Sequence, residues 1–189
     1  SLAVGPGIGI DNDDWQKSKD YLMAFGGLLI LDADALNRIS ESKLGSNFFL
    51  ERKFKTWITP HSKEFGRLFP NIKSKTNVGL ARDAAKEFNI SILLKGANSI
   101  VADNKKVWQL FGTDSQTARA GLGDLLSGFV AGSSAIDLTL CRNISTDFFA
   151  KYVLLHSFAA SKCKSGSNAS AIGDELTKLM RNKKTRQIS

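Results

Sequence analysis

Short apolar runs with almost no polar alternation, each breaking off at a polar residue, proline or glycine, constrain this chain more than any other feature. Leu28-Leu29-Ile30-Leu31 stops at Asp32, Thr56-Trp57-Ile58 at Thr59-Pro60, and Ile90-Ser91-Ile92-Leu93-Leu94 at Lys95-Gly96. A strand that is apolar on successive residues must be covered on both faces, the condition of a parallel sheet sandwiched between helices. Helical spacing fills the gaps. Trp15, Leu22 and Phe25 share a face in a stretch from Asp14 to Phe25 that ends at Gly26-Gly27, and Val78, Ala81, Ala85 and Phe88 do the same further on. Residues 34–41 and 47–53 read as short helices, and Thr59 is expected to cap a helix that has Pro60 in its first turn and runs through Phe69. This grammar of helix then buried strand predicts an α/β fold with right-handed crossovers.

The grammar changes at both ends. Leu2-Ala3-Val4 is short for a buried strand, so further polypeptide is expected upstream of Ser1. After Lys95, Ser99-Ile100-Val101-Ala102 and Lys106-Val107-Trp108-Gln109-Leu110 flank Asp103-Asn104-Lys105, which predicts an antiparallel hairpin at the sheet edge. Helices are expected over 123–135, over 145–163 and over 168–183, the last offering Ile172, Leu176, Leu179 and Met180 to the body. The helix over 145–163 carries apolar residues on two adjacent faces and is expected to be largely buried, with His156 as a satisfied core histidine. Trp15, Trp57 and Trp108 read as packing residues.

At 189 residues the chain suits one domain, 1–189, and its 42% hydrophobic and 23% charged residues exclude a disordered or fibrous chain. The net charge of +8 does not point to nucleic acid, because Lys178, Arg181, Lys183, Lys184 and Arg186 crowd into a terminus without acids. Cys141 and Cys163, far apart, fit a reducing cytoplasm and read as core residues, and with only two histidines a zinc site is not expected. No apolar run approaches the ~20 residues of a membrane span.

One stretch calls for chemistry. Thr117-Ala118-Arg119-Ala120-Gly121-Leu122-Gly123-Asp124 leads into an apolar periodic run, so it reads as a loop entering a helix whose first-turn N–H groups are free. Those donors, the helix dipole and two glycines favour a phosphate. An acid there repels phosphate, so Asp124 reads either as a base that takes a proton from an attacking hydroxyl or as a helix cap. Four more motifs sit where strands end: Gly5-Pro6-Gly7-Ile8-Gly9, Leu31-Asp32-Ala33-Asp34-Ala35-Leu36-Asn37, Ile58-Thr59-Pro60-His61-Ser62-Lys63-Glu64 and Leu94-Lys95-Gly96-Ala97-Asn98-Ser99. In parallel α/β sheets ligands gather at such ends. Asp32 and Asp34 either organise magnesium-bound water or cap the following helix.

The ordered set of five motifs resembles the ADP- or ATP-dependent NAD(P)H-hydrate dehydratases, a branch of the ribokinase-like superfamily. The resemblance implies a three-layer α/β/α sandwich with a mostly parallel central sheet and an antiparallel hairpin at one edge. It implies repair of hydrated NADH or NADPH: phosphoryl transfer from ADP or ATP, with Mg2+, to the ring hydroxyl, then elimination of phosphate. By motif, Gly121 and Gly123 would bind phosphates, and Lys95, Gly96, Ala97, Asn98 and Ser99 the adenine nucleotide. Gly9 and His61 would line the hydrated-cofactor site, with Asp124 as its base. A homo-oligomer, by resemblance a tetramer, is expected. The chain departs from the family pattern at Leu122, where a Thr is usual, at Arg119 and Ala120, and at Ser62-Lys63, where Pro-Gly is usual; Glu64 is kept. Two other readings share these motifs: a ribokinase-like small-molecule kinase and a non-catalytic nucleotide-binding module.

Overall fold

The computed structural model describes residues 1–9, 15–111, 121–141, 143–164 and 166–186, with 182–186 by main chain only. Six strands form one sheet in chain order: β1 (Leu2–Val4), β2 (Leu29–Leu31), β3 (Thr56–Ile58), β4 (Ser91–Leu94), β5 (Ser99–Ala102) and β6 (Val107–Leu110). β1 to β4 pair in parallel, with Ala3 opposite Ile30 and Ile30 opposite Trp57. β5 and β6 turn back antiparallel, as the hairpin reading required.

Because the parallel strands step in one direction, right-handed crossovers put every connecting helix on the same face. These are α1 (Trp15–Ala24), α2 (Ala33–Glu41), α3 (Asn47–Glu51), α4 (Ser62–Leu68) and α5 (Asn77–Phe88). They cover Leu29, Leu31, Ile58, Ile92 and Leu94 with Leu36, Ile39, Phe49, Phe65 and Phe88. The other face then falls to the chain after the hairpin: α6 (Leu122–Cys141), α7 (Thr146–Lys162) and α8 (Ala169–Arg186). The alternate residues Leu28, Ile30, Trp57, Leu93 and Val101 pack there on Leu126, Val130, Phe149 and Val153, and the Trp57 and Phe149 rings stack 4.6 Å apart and 5° from parallel. Alternation within apolar strands thus divides one run between two cores, which is the three-layer sandwich.

Four expectations change. α4 is capped by His61, not Thr59: the Thr59 amide stays on Leu31 O at 3.1 Å and Pro60 O receives the Lys95 amide at 2.9 Å, so the chain remains extended through Pro60. α6 runs on to Cys141, and by length and composition alone it could cross a membrane, contrary to the reading that no apolar run comes near that length. It packs on β1, β2, α7 and α8 through one face, on which Leu126, Ser127, Val130, Ser133 and Ser134 are buried, and it carries Asp124 and Asp137. Cys141, at its outer end, is exposed and Cys163 is half-buried, so neither is core. α7 buries His156 as expected, but the ring is not fully satisfied, because its Nε2 has no hydrogen-bond partner, and Leu154 and Phe158 are exposed.

Candidate active site

Each parallel strand ends in a motif, and the sheet brings these ends to one rim. After β1, Gly5 takes φ +140 where an added Cβ would lie 1.7 Å from Asp32 O, so no side chain fits between the first two strand ends. Gly9 (φ +73) donates its amide to Asp34 Oδ2 at 3.2 Å, and its carbonyl accepts from Arg38 Nε at 2.7 Å. The glycine loop is thereby clamped to α2. Asp34 is thus spent on a main-chain amide, while Arg38, buried and lying 5.7 Å over the Trp15 ring, was not foreseen as part of the rim.

Asp32 is buried to 1% exposure at the end of β2. Its Oδ1 accepts from the Ala33 amide at 2.9 Å, capping α2, and from Lys95 Nζ at 2.7 Å; its Oδ2 accepts from Ser127 Oγ at 2.7 Å. Ala33 takes φ 45, an uncommon conformation for a residue with a Cβ. Three remote parts of the chain therefore meet on one carboxylate. Ser127 carried no motif in the sequence; its one signal is its place one helical turn after Gly123 on the run that follows the glycine loop.

His61 and Lys95 form a parallel bridge beyond β3 and β4, so these two loops are neighbours. His61 Nδ1 accepts from the amides of Lys63 (3.1 Å) and Glu64 (3.3 Å), and Glu64 Oε2 accepts from the His61 amide at 2.8 Å. This capping box fixes the ring with Nε2 3.4 Å from Glu64 Oε1 and leaves the side chain 48% exposed at the rim. Gly96, Ala97 and Asn98 form the exposed turn into β5, and Ser99, buried, donates to Gly96 O at 3.3 Å.

α6 enters this rim from below. Gly121 takes φ +78, and a Cβ built on Gly123 would stand 3.7 Å from Asp32 Oδ2 and 3.8 Å from Lys95 Nζ. The first turn of α6, at the positive end of its dipole, thus faces the Asp32–Lys95 pair. Leu122 turns away and packs with Ala159, Ala160, Ile172 and Leu176. Asp124, one residue past Gly123, is exposed and lines a groove of about 950 Å3 between α6, α7 and α8, with Gly128, Gly132, Ile136 and Leu140 further along. Gly123 and Asp124 therefore open on adjoining sides of the helix start. Thr117, Ala118, Arg119 and Ala120, the front half of the glycine-loop reading, lie outside the described residues. Among the described residues no three His, Cys, Asp or Glu side chains cluster as a metal site.

The sandwich is similar to solved structures, at identities that bear on the fold alone. A ribokinase-like superfamily protein from Enterococcus faecalis matches with TM-score 0.78 and 24% identity over 95% of this chain and 62% of its own. The ADP/ATP-dependent NAD(P)H-hydrate dehydratase of Bacillus subtilis, co-crystallized with ATP/Mg2+, matches with TM-score 0.72 and 23% identity over 95% and 63%. Among curated proteins, the bifunctional NAD(P)H-hydrate repair enzymes Nnr of Gloeobacter violaceus and Synechocystis sp. are 36% and 33% identical over 76% and 70% of this chain. The matches span about a quarter of those proteins, 27% and 25% of their length. The family model described as NAD(P)H-hydrate dehydratase matches residues 1–183, from the strand before the first glycine loop to within α8. With the glycine loops, the Asp32 and His61 turns and the Lys95 loop on one rim, and that match running through all of them, the chain belongs to the NAD(P)H-hydrate dehydratase family.

Proposed function

We propose that this chain carries the ADP- or ATP-dependent dehydration of hydrated NADH or NADPH. The observation that supports it is the meeting of a cation, Lys95, with the first turn of α6 at the end of the sheet; Asp124, the next residue, opens on the adjoining groove along α6. The Gly121–Gly123 turn and Lys95 take the nucleotide's phosphates, and Gly96 to Ser99 take the rest of the nucleotide. Gly9 and His61 border the hydrated cofactor from the neighbouring strand ends.

In the reaction, Asp124 accepts the proton of the ring hydroxyl as its oxygen forms a bond to the terminal phosphorus, and the bond from that phosphorus to the nucleotide breaks. The phosphate ester then leaves as inorganic phosphate with loss of a ring proton, and the double bond of the reduced nicotinamide is restored. Asp32 holds Lys95 and Ser127, Asp34 holds the Gly9 amide, and Mg2+ is taken to arrive on the nucleotide's phosphates. Exposed Ile136, Leu140, Leu154 and Phe158 on α6 and α7 support a homo-oligomer. A cytoplasmic setting goes with the substrate class.

The test is to incubate the protein with hydrated NADH, ATP and magnesium and follow the return of reduced-nicotinamide absorbance. Asp124→Asn is expected to slow that return by roughly 10²–10⁴-fold. An undiminished rate in Asp124→Asn refutes the base, and a stable phosphorylated product in place of free phosphate refutes the dehydration.

A further inference from the structure

We infer that Asp32 is a positioning residue: it fixes the Lys95 ammonium against the first turn of α6, so that a phosphate seated on that turn meets a cation already in place. This rests on the nucleotide role just proposed for the turn and deepens it. The carboxylate is buried to 1% exposure, and one of its oxygens holds Lys95 while the other holds Ser127, one helical turn past Gly123. The same group therefore ties both the cation and the helix that supplies the main-chain donors. Hydrogen bonds of 2.7 Å on each side set their separation.

The chemistry of Lys95 leaves room for a ligand. An ammonium has three donors; Asp32 takes one, and the Lys95 side chain keeps 26% of its surface exposed. A Cβ on Gly123 would come into van der Waals contact with the pair, 3.7 Å from Asp32 Oδ2 and 3.8 Å from Lys95 Nζ, and glycine keeps that space clear. The carboxylate is held from three directions, by the Ala33 amide, Lys95 Nζ and Ser127 Oγ. A buried ion pair is weak evidence of a stabilising role, since apolar residues of similar volume often serve as well. An exact placement of charge is what this pair supplies.

A purely structural Asp32, serving as the cap of α2, would tolerate asparagine, which caps a helix equally well and has the same shape. Asp32→Asn, Lys95→Met and the double variant should therefore be titrated with ATP, with and without magnesium, and with adenosine as a phosphate-free control. Asp32→Asn is expected to weaken ATP about tenfold and adenosine less than about twofold, and the double variant to bind ATP no more weakly than Lys95→Met alone. Unchanged ATP affinity in Asp32→Asn overturns the inference. So do losses that add in the double variant, or a loss confined to magnesium-containing buffer, which would make Asp32 a metal-site residue. Should Asp32→Asn fail to fold, the Ser127→Ala and Lys95→Met pair is read in its place: non-additive losses support the clamp and additive losses overturn it. Turnover of hydrated NADH by the unmodified protein is assayed alongside. No turnover with the coupling intact refutes the dehydratase reading and leaves the clamp standing.

Discussion

Burial of His156 should make the folding stability of this protein sensitive to acid. The ring is 5% exposed on α7, and its Nε2 is buried without a hydrogen-bond partner. Burial, the larger influence, pushes its pKa from 6.5 down to about 4, and a hydrogen bond to the main chain of Leu122 acts in the opposite direction. A histidine whose folded pKa lies below its unfolded value binds more protons when unfolded. Its contribution is thus fully present above the unfolded pKa and is lost as pH falls towards the folded one. The difference corresponds to about 3 kcal/mol in all, of which about 2 kcal/mol is gone by about pH 5. For a chain of this length that is a fall in midpoint temperature of roughly 4–8 °C. Thermal or urea unfolding at about pH 7.5 and about pH 5 reads it, with His156→Gln as reference, because carboxylate titrations common to both proteins cancel in the difference. The variant should lose about 2 kcal/mol less than the parent over that interval. An equal loss in the two proteins refutes the assignment to His156.

Two further changes probe the scaffold beneath the rim. Gly5→Ala puts a Cβ 1.7 Å from Asp32 O at φ +140 and is expected to cost at least about 2 kcal/mol in urea unfolding; a loss within about 0.5 kcal/mol would mean that the two strand ends separate easily. Arg52, 5% exposed, donates to the carbonyls of Leu22, Met23 (3.3 Å) and Gly27 (2.9 Å) and to Thr56 Oγ1 (3.0 Å), closing the α1 to β2 turn onto β3. Burial lowers its pKa. Arg52→Met keeps the stem and removes every donor, so a loss of roughly 2–4 kcal/mol is expected in denaturant titration, and a change below about 1 kcal/mol contradicts that accounting.

Local pattern determined the elements of this protein. Apolar runs such as Leu28 to Leu31 are long enough and unbroken enough to mark strands covered on both faces, and the spacing of Val78, Ala81, Ala85 and Phe88 marks α5, because both signals arise within a few residues. The order of glycine and polar motifs after those runs was legible for the same reason, and the family match confirms that order as meaningful. Caps were less legible. Thr59 has the residue type of a cap, but the chain at Pro60 is held extended by Lys95 of the next strand, a partner remote in sequence, and the helix waits until His61.

Only the tertiary structure decided who meets whom at the rim. Asp32, Lys95 and Ser127 are separated by whole crossovers, and nothing local to any of them foretells that one carboxylate binds the other two. Asp32 and Asp34 looked alike in sequence. Burial at the end of β2 turned the first into a partner of Lys95, while the Gly9 loop claimed the second. The glycines at 121 and 123 announced an anion turn, yet the cation it faces, and the groove that Asp124 lines instead, follow from how α6 packs on β1 and β2. Sequence periodicity specifies which side of a helix is apolar; the point on the sheet at which that side comes to rest is set by packing of the whole chain, and the chemistry of this rim depends on that point.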